Sequence, residues 1–303
     1  MLTAIARYSL SLSSATHWIR YAPQAGVFVV GDAQAAWTVS PDGSSPVPVA
    51  RGEQPLTLPI PEVLLADVLS LGWNAFRLPS MHTLIDATAH EPVSGDLLRH
   101  FVFLPDYGQL VEHPATGSWL ALRCGRVARI SPDGPFTVQA ETRTRGKGAL
   151  TFAAHPSEPL LFYGDNAGDF TQHALTPDGF GKATTLAKLE RKASACLVRA
   201  NGSRVLLGGM GYLQQVPVGA KAGANCGQCA TTVRSLHAVD DRRVLVNAGM
   251  QGLAMVSCTD ESLKVEARAD LEAPVHQMAV TTDQRTIAVL HQGSGAVTLG
   301  TLL

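Results

Sequence analysis

Short runs of hydrophobic residues, separated by polar turn-forming residues, fill most of this chain. Six times an apolar run ends at a polar or Pro-containing turn and a second apolar run follows at once. The six segments are HWIRYAPQAGVFVVGD from His17, GQLVEHPATGSWLALRCG from Gly108, LTFAAHPSEPLLFYGD from Leu150, SACLVRANGSRVLLGG from Ser194, RSLHAVDDRRVLVNAG from Arg234 and HQMAVTTDQRTIAVLHQG from His276. The runs are short, rich in Val, Leu, Ile, Phe and Thr, and bounded by Gly or Pro, which predicts β-strands. Only residues 58–72, LPIPEVLLADVLSLG, could form a helix instead.

The spacing of these turns indicates a repeat. Their anchors are Pro23, Pro114, Pro156, Asn201, Asp240 and Thr282, which are separated by 91, 42, 45, 39 and 42 residues. The first gap is about twice the others, so one further unit is expected inside it, over residues 62–92. A period of about 43 residues with four strands in each unit is typical of a radial β-array.

A turn phrase built on Pro-Asp-Gly recurs with the same period. It stands at residues 40–43, 131–134 and 176–179, with starts 91 and 45 residues apart, and each copy closes an apolar run. Placed against the neighbouring turns, each copy is expected to join the third strand of a unit to its fourth strand.

The repeat predicts an all-β chain of seven units in one domain. The expected units are residues 13–60, 61–106, 107–147, 148–192, 193–232, 233–272 and 273–303, each of four antiparallel strands. The last unit has room for three strands only. Residues 2–10, LTAIARYSL, have the pattern of a strand and are expected to complete that unit as its outer strand, closing a ring and hiding sheet edges.

This pattern resembles the seven-bladed β-propellers of the broad WD40 and YVTN type, in a divergent bacterial form, over essentially the whole chain. Trp37-Thr38 stands where such repeats carry a Trp-Asp pair, at the end of a third strand, and neither a Trp-Asp nor a Gly-His dipeptide occurs. The subfamily is not identified. The resemblance implies a rigid disc of four-stranded blades whose loops are free to bind other proteins.

Composition narrows the classes of function. Hydrophobic residues make up 46% and charged residues 16%, as in a globular protein with a filled core. The formal net charge of −1 argues against a dedicated nucleic-acid-binding protein, which is usually strongly basic. No apolar run approaches the roughly 18–20 residues that cross a bilayer, and no signal peptide is recognised, so a cytoplasmic protein is expected. The odd number of cysteines, five, does not suggest a secreted disulfide framework.

The sharpest local motif is Cys226-Gly227-Gln228-Cys229. The C-x-x-C spacing suits one metal ion or a small disulfide. A redox pair would need a helix N-terminus and a zinc site would need a second ligand pair, and neither is recognisable. The motif is therefore interpreted as a dithiol between two strands of the fifth unit, with redox or metal use as the alternative.

Histidines and carboxylates offer weaker candidates. His113 and His155 stand at equivalent places before the turn proline of adjacent units, where we expect each to hydrogen-bond a turn. Asp32, Asp165 and Asp169 fall in the second turns of their units, where Asp usually bonds local backbone. No recognisable metal-ligand or catalytic constellation includes them, so no metal or cofactor is expected.

The most interpretable surface feature is a set of basic residues in two neighbouring connections. They are Arg143, Arg145, Lys147, Lys188, Arg191 and Lys192. Both connections join a fourth strand to the next first strand and lie about one unit apart, so they are expected on the same rim. Six cations on a nearly neutral protein could dock an acidic surface of another protein, or be ordinary solvated loops.

These observations favour a non-catalytic interaction scaffold or adaptor. The nearest fragment to a G-x-S-x-G elbow is Gly293-Ser294-Gly295, which has the form of an ordinary hairpin turn, and no phosphate-binding loop occurs. The alternative is a propeller enzyme, or a small-molecule or metal-binding protein, with polar residues at a central channel. A third reading is a propeller subunit of a larger complex.

Overall fold

The chain forms β-sheets throughout the parts that its computed structural model describes. These parts are residues 2–12, 18–22, 26–31, 35–51, 84–85, 92–93, 109–123, 126–130, 138–143, 149–165, 167–189, 191–219 and 224–302. They divide into two compact units. No helix in these ranges is long and apolar enough to cross a membrane.

The first unit comprises residues 1–110, 133–136 and 273–303. Its strands are β1 (Leu2–Ser9), β2 (Trp18–Ala22), β3 (Val27–Gly31), β4 (Ala35–Val39), β5 (Val47–Arg51), β6 (Leu84–Ile85), β7 (Pro92–Val93), β23 (Val275–Val280), β24 (Thr286–His291) and β25 (Ala296–Leu302). They form sheet I in the order β2-β3-β4-β5, sheet II from β6 and β7, and sheet VII in the order β1-β25-β24-β23.

The second unit comprises residues 111–132 and 137–272, and the boundary falls within β8, which is grouped with the second unit. Its strands are β8 (Gln109–Glu112), β9 (Trp119–Arg123), β10 (Arg126–Ile130), β11 (Val138–Arg143), β12 (Ala149–Ala154), β13 (Leu160–Asp165), β14 (Asp169–Thr176), β15 (Gly179–Lys188), β16 (Ala193–Val198), β17 (Arg204–Pro217), β18 (Ala224–Thr232), β19 (Ser235–Ala238), β20 (Arg243–Asn247), β21 (Leu253–Cys258) and β22 (Leu263–Ala269). Sheets III (β8–β11), IV (β12–β15) and VI (β19–β22) are four-stranded antiparallel meanders, and sheet V contains β16, β17 and β18.

Sheet V contains a hairpin inside its long strand β17. The Val218 N–H donates to the Ser203 carbonyl at 3.0 Å, an antiparallel contact whose midpoint falls between Met210 and Gly211. Gly211 has a φ of +80°, which a tight turn requires and which other residues rarely adopt. The chain therefore folds back at residues 210–211, and the two halves of β17 occupy the second and third places of a four-stranded sheet.

Four-stranded antiparallel sheets, as predicted, are present in sheets I, III, IV, VI and VII, and the hairpin within β17 gives sheet V a similar arrangement. The turn at residues 40–43 joins β4 to β5 and that at 176–179 joins β14 to β15, as predicted for third-to-fourth connections. The copy of the turn at residues 131–134 lies outside the described residues. So do Asp32, one of the three Asp candidates, and most of the unit expected at 61–106. The boundaries of the seven units, the count of blades and the ring remain predictions.

Hydrophobic clusters lie between consecutive sheets in each unit. In the second unit, Leu120 of sheet III packs with Phe152 and Tyr163 of sheet IV, while Phe162 and Phe170 of sheet IV pack with residues of sheet V. A further cluster joins sheets V and VI. Because the sheets bury both faces, their second strands are continuously apolar instead of alternating, as in LLFYGD and RVLVN.

The N-terminal strand completes the last sheet, as predicted. Strand β1 pairs with β25 from Leu2 opposite Leu302 to Ser9 opposite Ala296, with one register shift near Ile5. Leu10 follows it into a cluster with Phe28 of sheet I and Leu290 of sheet VII, so this segment contributes both a ladder and core contacts to the first unit.

Candidate interaction surface

Three buried side chains occupy the same place in three neighbouring sheets of the second unit. His113, His155 and Arg199 each follow directly on the first strand of a sheet, β8, β12 and β16. In each, the backbone N–H donates to the carbonyl five residues later, which closes the first hairpin. Each side chain then reaches a backbone carbonyl in the next sheet. The His155 ring hydrogen-bonds a turn, as predicted, whereas the His113 ring bonds the first residue of β13. Both rings join one sheet to the next.

His155 illustrates these hydrogen bonds between neighbouring sheets. Its Nε2 lies 2.9 Å from the Gly202 carbonyl oxygen of sheet V, while its Nδ1 accepts from the N–H groups of Ser157 (3.2 Å) and Glu158 (2.9 Å). Accepting two bonds at Nδ1 requires the neutral ring with its proton on Nε2. A Cβ on Gly202 would lie 2.5 Å from the imidazole, so glycine is needed for the close approach.

His113 repeats the contact one sheet earlier. Its Nε2 lies 3.0 Å from the Leu160 carbonyl, and its buried Nδ1 has no partner among the described residues. Burial lowers the pKa of His113 more strongly than the Leu160 carbonyl raises it. Burial removes the ring from water and so disfavours its charged form, which explains the direction of the pKa change.

Acid is therefore expected to destabilise the protein through His113. The unfolded chain has a histidine pKa of about 6.5. With a lower pKa in the folded state, the unfolded state binds the proton first, so stability is full above about pH 6.5 and falls as the pH drops through the folded pKa. His113→Gln, which keeps a donor near the position of Nε2 but does not titrate, should lose less stability between pH 7.5 and 5.0 in urea unfolding. Equal losses in both proteins would contradict this role.

Arg199 is the member of this series that the sequence did not reveal. Its guanidinium donates to the Asp241 carbonyl of sheet VI, through Nε at 3.1 Å and also through Nη2, and its Nη1 lies 3.4 Å from Asp260 Oδ1. Arg204 also pairs with Asp260, at 3.1 Å. Arg199 follows His155 at nearly the same sequence spacing as His155 follows His113, and this spacing could have shown that the three positions are equivalent. The change from histidine to arginine concealed it.

The other polar candidates have local roles. Asp165 Oδ1 accepts from the N–H groups of Ala167 (2.8 Å) and Asp169 (2.9 Å), as predicted for Asp in a turn. Ser294 Oγ accepts from the Ala296 N–H at 3.3 Å, within the turn between β24 and β25. In the ranges that the structure describes, no group of three or more His, Cys, Asp or Glu side chains could hold a metal ion.

The C-x-x-C motif lies within a strand, so its predicted place between strands is wrong. Cys226 is opposite Leu213 in the pairing of β18 with β17, and Cys229 lies further along β18. The segment contains Asn and Gly, which suggested a turn, but the backbone ladder to β17 determines its conformation. Whether Cys226 and Cys229 act as a dithiol stays a prediction, which alkylation without reductant would test.

Two of the described basic residues end the fourth strands of sheets III and IV. Arg143 is the last residue of β11 and Lys188 is the last residue of β15. The two strands approach closely at the other end of β15, where a Cβ on Gly179 would lie 2.8 Å from that of Ala140. Arg143 is exposed. Arg145 and Lys147 lie outside the described residues.

Lys188, Arg191 and Lys192 come together in the connection from sheet IV to sheet V. The Lys188 side chain is 65% exposed and its Nζ lies 3.0 Å from Asp169 Oδ1, a pair that contributes little stability in solvent. Arg191 and Lys192 are exposed. Arg191 Nη1 donates to the Met210 carbonyl at 3.3 Å, and Tyr212 donates its hydroxyl proton to the Arg191 carbonyl at 3.1 Å. This basic connection is thus hydrogen-bonded to the hairpin tip of β17.

Two exposed methionines lie in second turns of neighbouring sheets, Met210 in contact with this connection and Met250 in sheet VI, and neither was predicted from the sequence. Met210 is 57% exposed at the tip of the β17 hairpin, and Met250 is 75% exposed in the short 3-10 turn between β20 and β21. Both stand in glycine-rich second turns, GGMGY and AGMQG, 40 residues apart. A large apolar residue between turn glycines was the available signal, because such a turn offers no core to bury it.

Comparison with known proteins identifies the fold and no family. No protein family matches the sequence, and no curated protein is detectably similar to it. The Cps50 (Swd1) β-propeller domain of Myceliophteria thermophila is similar in structure, with a TM-score of 0.54 at 10% identity over 98% of this chain and 100% of that one. A chain of the mitotic checkpoint complex has a TM-score of 0.50 at 8% identity, over 99% and 92%. At such identities the likeness shows the fold alone, which is a β-propeller.

Proposed function

We propose that this protein is a non-catalytic interaction scaffold, a bacterial cytoplasmic β-propeller of seven blades closed by its N-terminal strand. Its basic fourth-to-first-strand connections bind an acidic surface of a partner protein. The observation that carries the proposal is the cluster of exposed cations, Lys188, Arg191 and Lys192, held on a hydrogen-bonded connection beside exposed apolar side chains. Such a surface suits recognition by charge and shape.

The rigidity of the second unit supports this function. The buried bonds of His113, His155 and Arg199 join neighbouring sheets, so the connections project from a fixed frame. Loops on a rigid frame lose little conformational entropy when a partner binds. One structural neighbour belongs to the mitotic checkpoint complex, a protein assembly, which is in keeping with an interaction role.

Charge reversal tests the proposal. A variant with Arg143, Lys188, Arg191 and Lys192 replaced by Glu should lose at least about 90% of its specific partners in affinity purification from the native host, since rim charges govern association. Quantitative mass spectrometry is the measurement. The matched control replaces Lys182, Arg242, Lys264 and Arg285, which are exposed cations of the described residues outside this cluster, by Glu. Equal recovery with both variants would reject the proposal.

A further inference from the structure

We propose that Met210 and Met250, with the neighbouring cations Arg191 and Lys192, form a docking site for an acidic peptide segment carrying at least one large apolar side chain. This inference rests on the proposed function and names the chemistry of the partner at that surface.

The two most exposed methionine side chains supply the apolar part of this site. Four large hydrophobic side chains are exposed in the described parts of the chain: Ile5, Val47, Met210 and Met250. The two methionines are unbranched, flexible and polarizable, properties that suit a surface which adapts to a bound side chain. Single exposed apolar residues need no explanation, but two beside one strand end are a candidate contact area.

The methionines border the same strand end. Met210 is paired with Thr232 across β17 and β18. The preceding residue, Thr231, donates its N–H to Gln251 Oε1 at 2.8 Å, and Gln251 follows Met250 directly. The end of β18 therefore connects the two hairpin tips, so one extended segment of a partner could contact both methionines.

Both tips are held before any partner binds. At the first tip, a Cβ on Gly209 would lie 2.6 Å from the Lys192 carbonyl, so the basic connection packs directly on the hairpin. At the second tip, the Gly249 N–H donates to Asn247 Oδ1 at 2.9 Å, and the Ala248 N–H donates to the Gly252 carbonyl at 2.9 Å. A preorganised surface avoids part of the ordering cost of binding.

Charge selects the partner. Arg191 and Lys192 are exposed next to Met210, and Lys188 lies at the start of the same connection, paired with Asp169. At the Met250 turn, Gly252 approaches the backbone of Ala269 and of exposed Asp270. A Cβ on Gly249 would lie 3.0 Å from Arg234 Nε, so cations lie beside both methionine-bearing turns. An acidic segment placed there can lay an apolar side chain across the methionines.

Selection of peptides on the full-length chain tests the inference. A phage-displayed library of random 12-residue peptides, panned on the immobilised protein, should yield peptides with acidic residues and a large apolar residue. Synthetic copies should then bind in fluorescence anisotropy. The double variant Met210→Ser and Met250→Ser should weaken their affinity roughly tenfold, because central apolar contacts dominate such interfaces. The matched control, Ile5→Ser with Val47→Ser, should change it less than about twofold.

The outcomes separate this inference from the proposed function. If the four-residue charge reversal weakens the peptides and the methionine variant does not, the methionine site is wrong and the basic scaffold stands. If neither variant affects peptide binding, the proposed locations of the methionine site and of the basic partner-binding surface are both wrong. Failure to select acidic apolar peptides overturns the inference. So does methionine-dependent binding only to phosphatidylserine vesicles or to a 20-nucleotide single-stranded DNA, because those anions would then be the ligand class.

Discussion

Deleting residues 1–12 is expected to lower the free energy of unfolding by about 4 kcal/mol or more, since it removes a strand ladder and a buried leucine. Strand β1 pairs with β25 from Leu2 to Ser9, and without it β25 becomes an exposed edge. Leu10 is 7% exposed in the cluster between sheets I and VII, and Tyr8 donates to the Ser44 carbonyl at 3.0 Å. Both the sheet and its packing against sheet I should weaken.

Urea unfolding of the full chain and of the truncated chain measures this effect. A synthetic peptide of residues 1–12, added in excess, should restore part of the lost stability because it can pair again with β25. The same peptide with Leu10→Asp is the matched control and should fail, since it would bury a carboxylate among apolar side chains. A truncated chain as stable as the intact one would show that β1 adds no stability, and would also remove the basis for closing a ring with it.

Replacing His155 by leucine is expected to destabilise the protein by about 3 kcal/mol, because buried polar groups would lose their partners. The Ser157 and Glu158 N–H groups would lose the Nδ1 acceptor, and the Gly202 carbonyl would lose the Nε2 donor. Leucine is similar in volume, so the loss would reflect hydrogen bonds more than a cavity.

Two conservative variants separate the bond that His155 makes to sheet V from the bonds that it accepts within sheet IV. His155→Asn keeps an acceptor near the position of Nδ1 and should lose only the bond to sheet V, about 1 kcal/mol. His155→Gln keeps a donor near the position of Nε2 and should lose the bonds within the first hairpin of sheet IV. Free energies from urea unfolding at pH 7.5 give the comparison. If all three variants were as stable as the parent, the hydrogen bonds of His155 would be unimportant for stability.

The strand pattern and the equivalent positions of His113 and His155 were predictable because they rest on local patterns repeated along the chain. Apolar runs of strand length predicted the sheets, and the turns at 40–43 and 176–179 lie between third and fourth strands as expected. The equal position of His113 and His155 predicted that both bond a turn. That their partners lie in the next sheet could not be predicted, because such a contact depends on how sheets pack.

The candidate surface was only half predictable. Cations in loops are visible in a sequence, so Lys188, Arg191 and Lys192 were identified. Met210 and Met250 were not, because an apolar residue is assumed to be buried unless the backbone carries it outward. In this chain, turn glycines at both sites place the methionine at a hairpin tip. The C-x-x-C segment was misplaced for the related reason that pairing with β17 overrides its turn-like composition.

The sequence alone determined the all-β class, the period of the units and the place of residues 2–10 in the last sheet. The class and the period follow from hydrophobic periodicity and turn chemistry, which act over a few residues. The place of residues 2–10 follows from counting strands, because the last unit has room for only three of its four. The folded structure was needed to show that Arg199 continues the series of His113 and His155, and that the basic connection is hydrogen-bonded to a methionine-bearing hairpin. Those features depend on side chains reaching backbone groups 19 to 47 residues away. Spacing can suggest such contacts, but packing between sheets creates them.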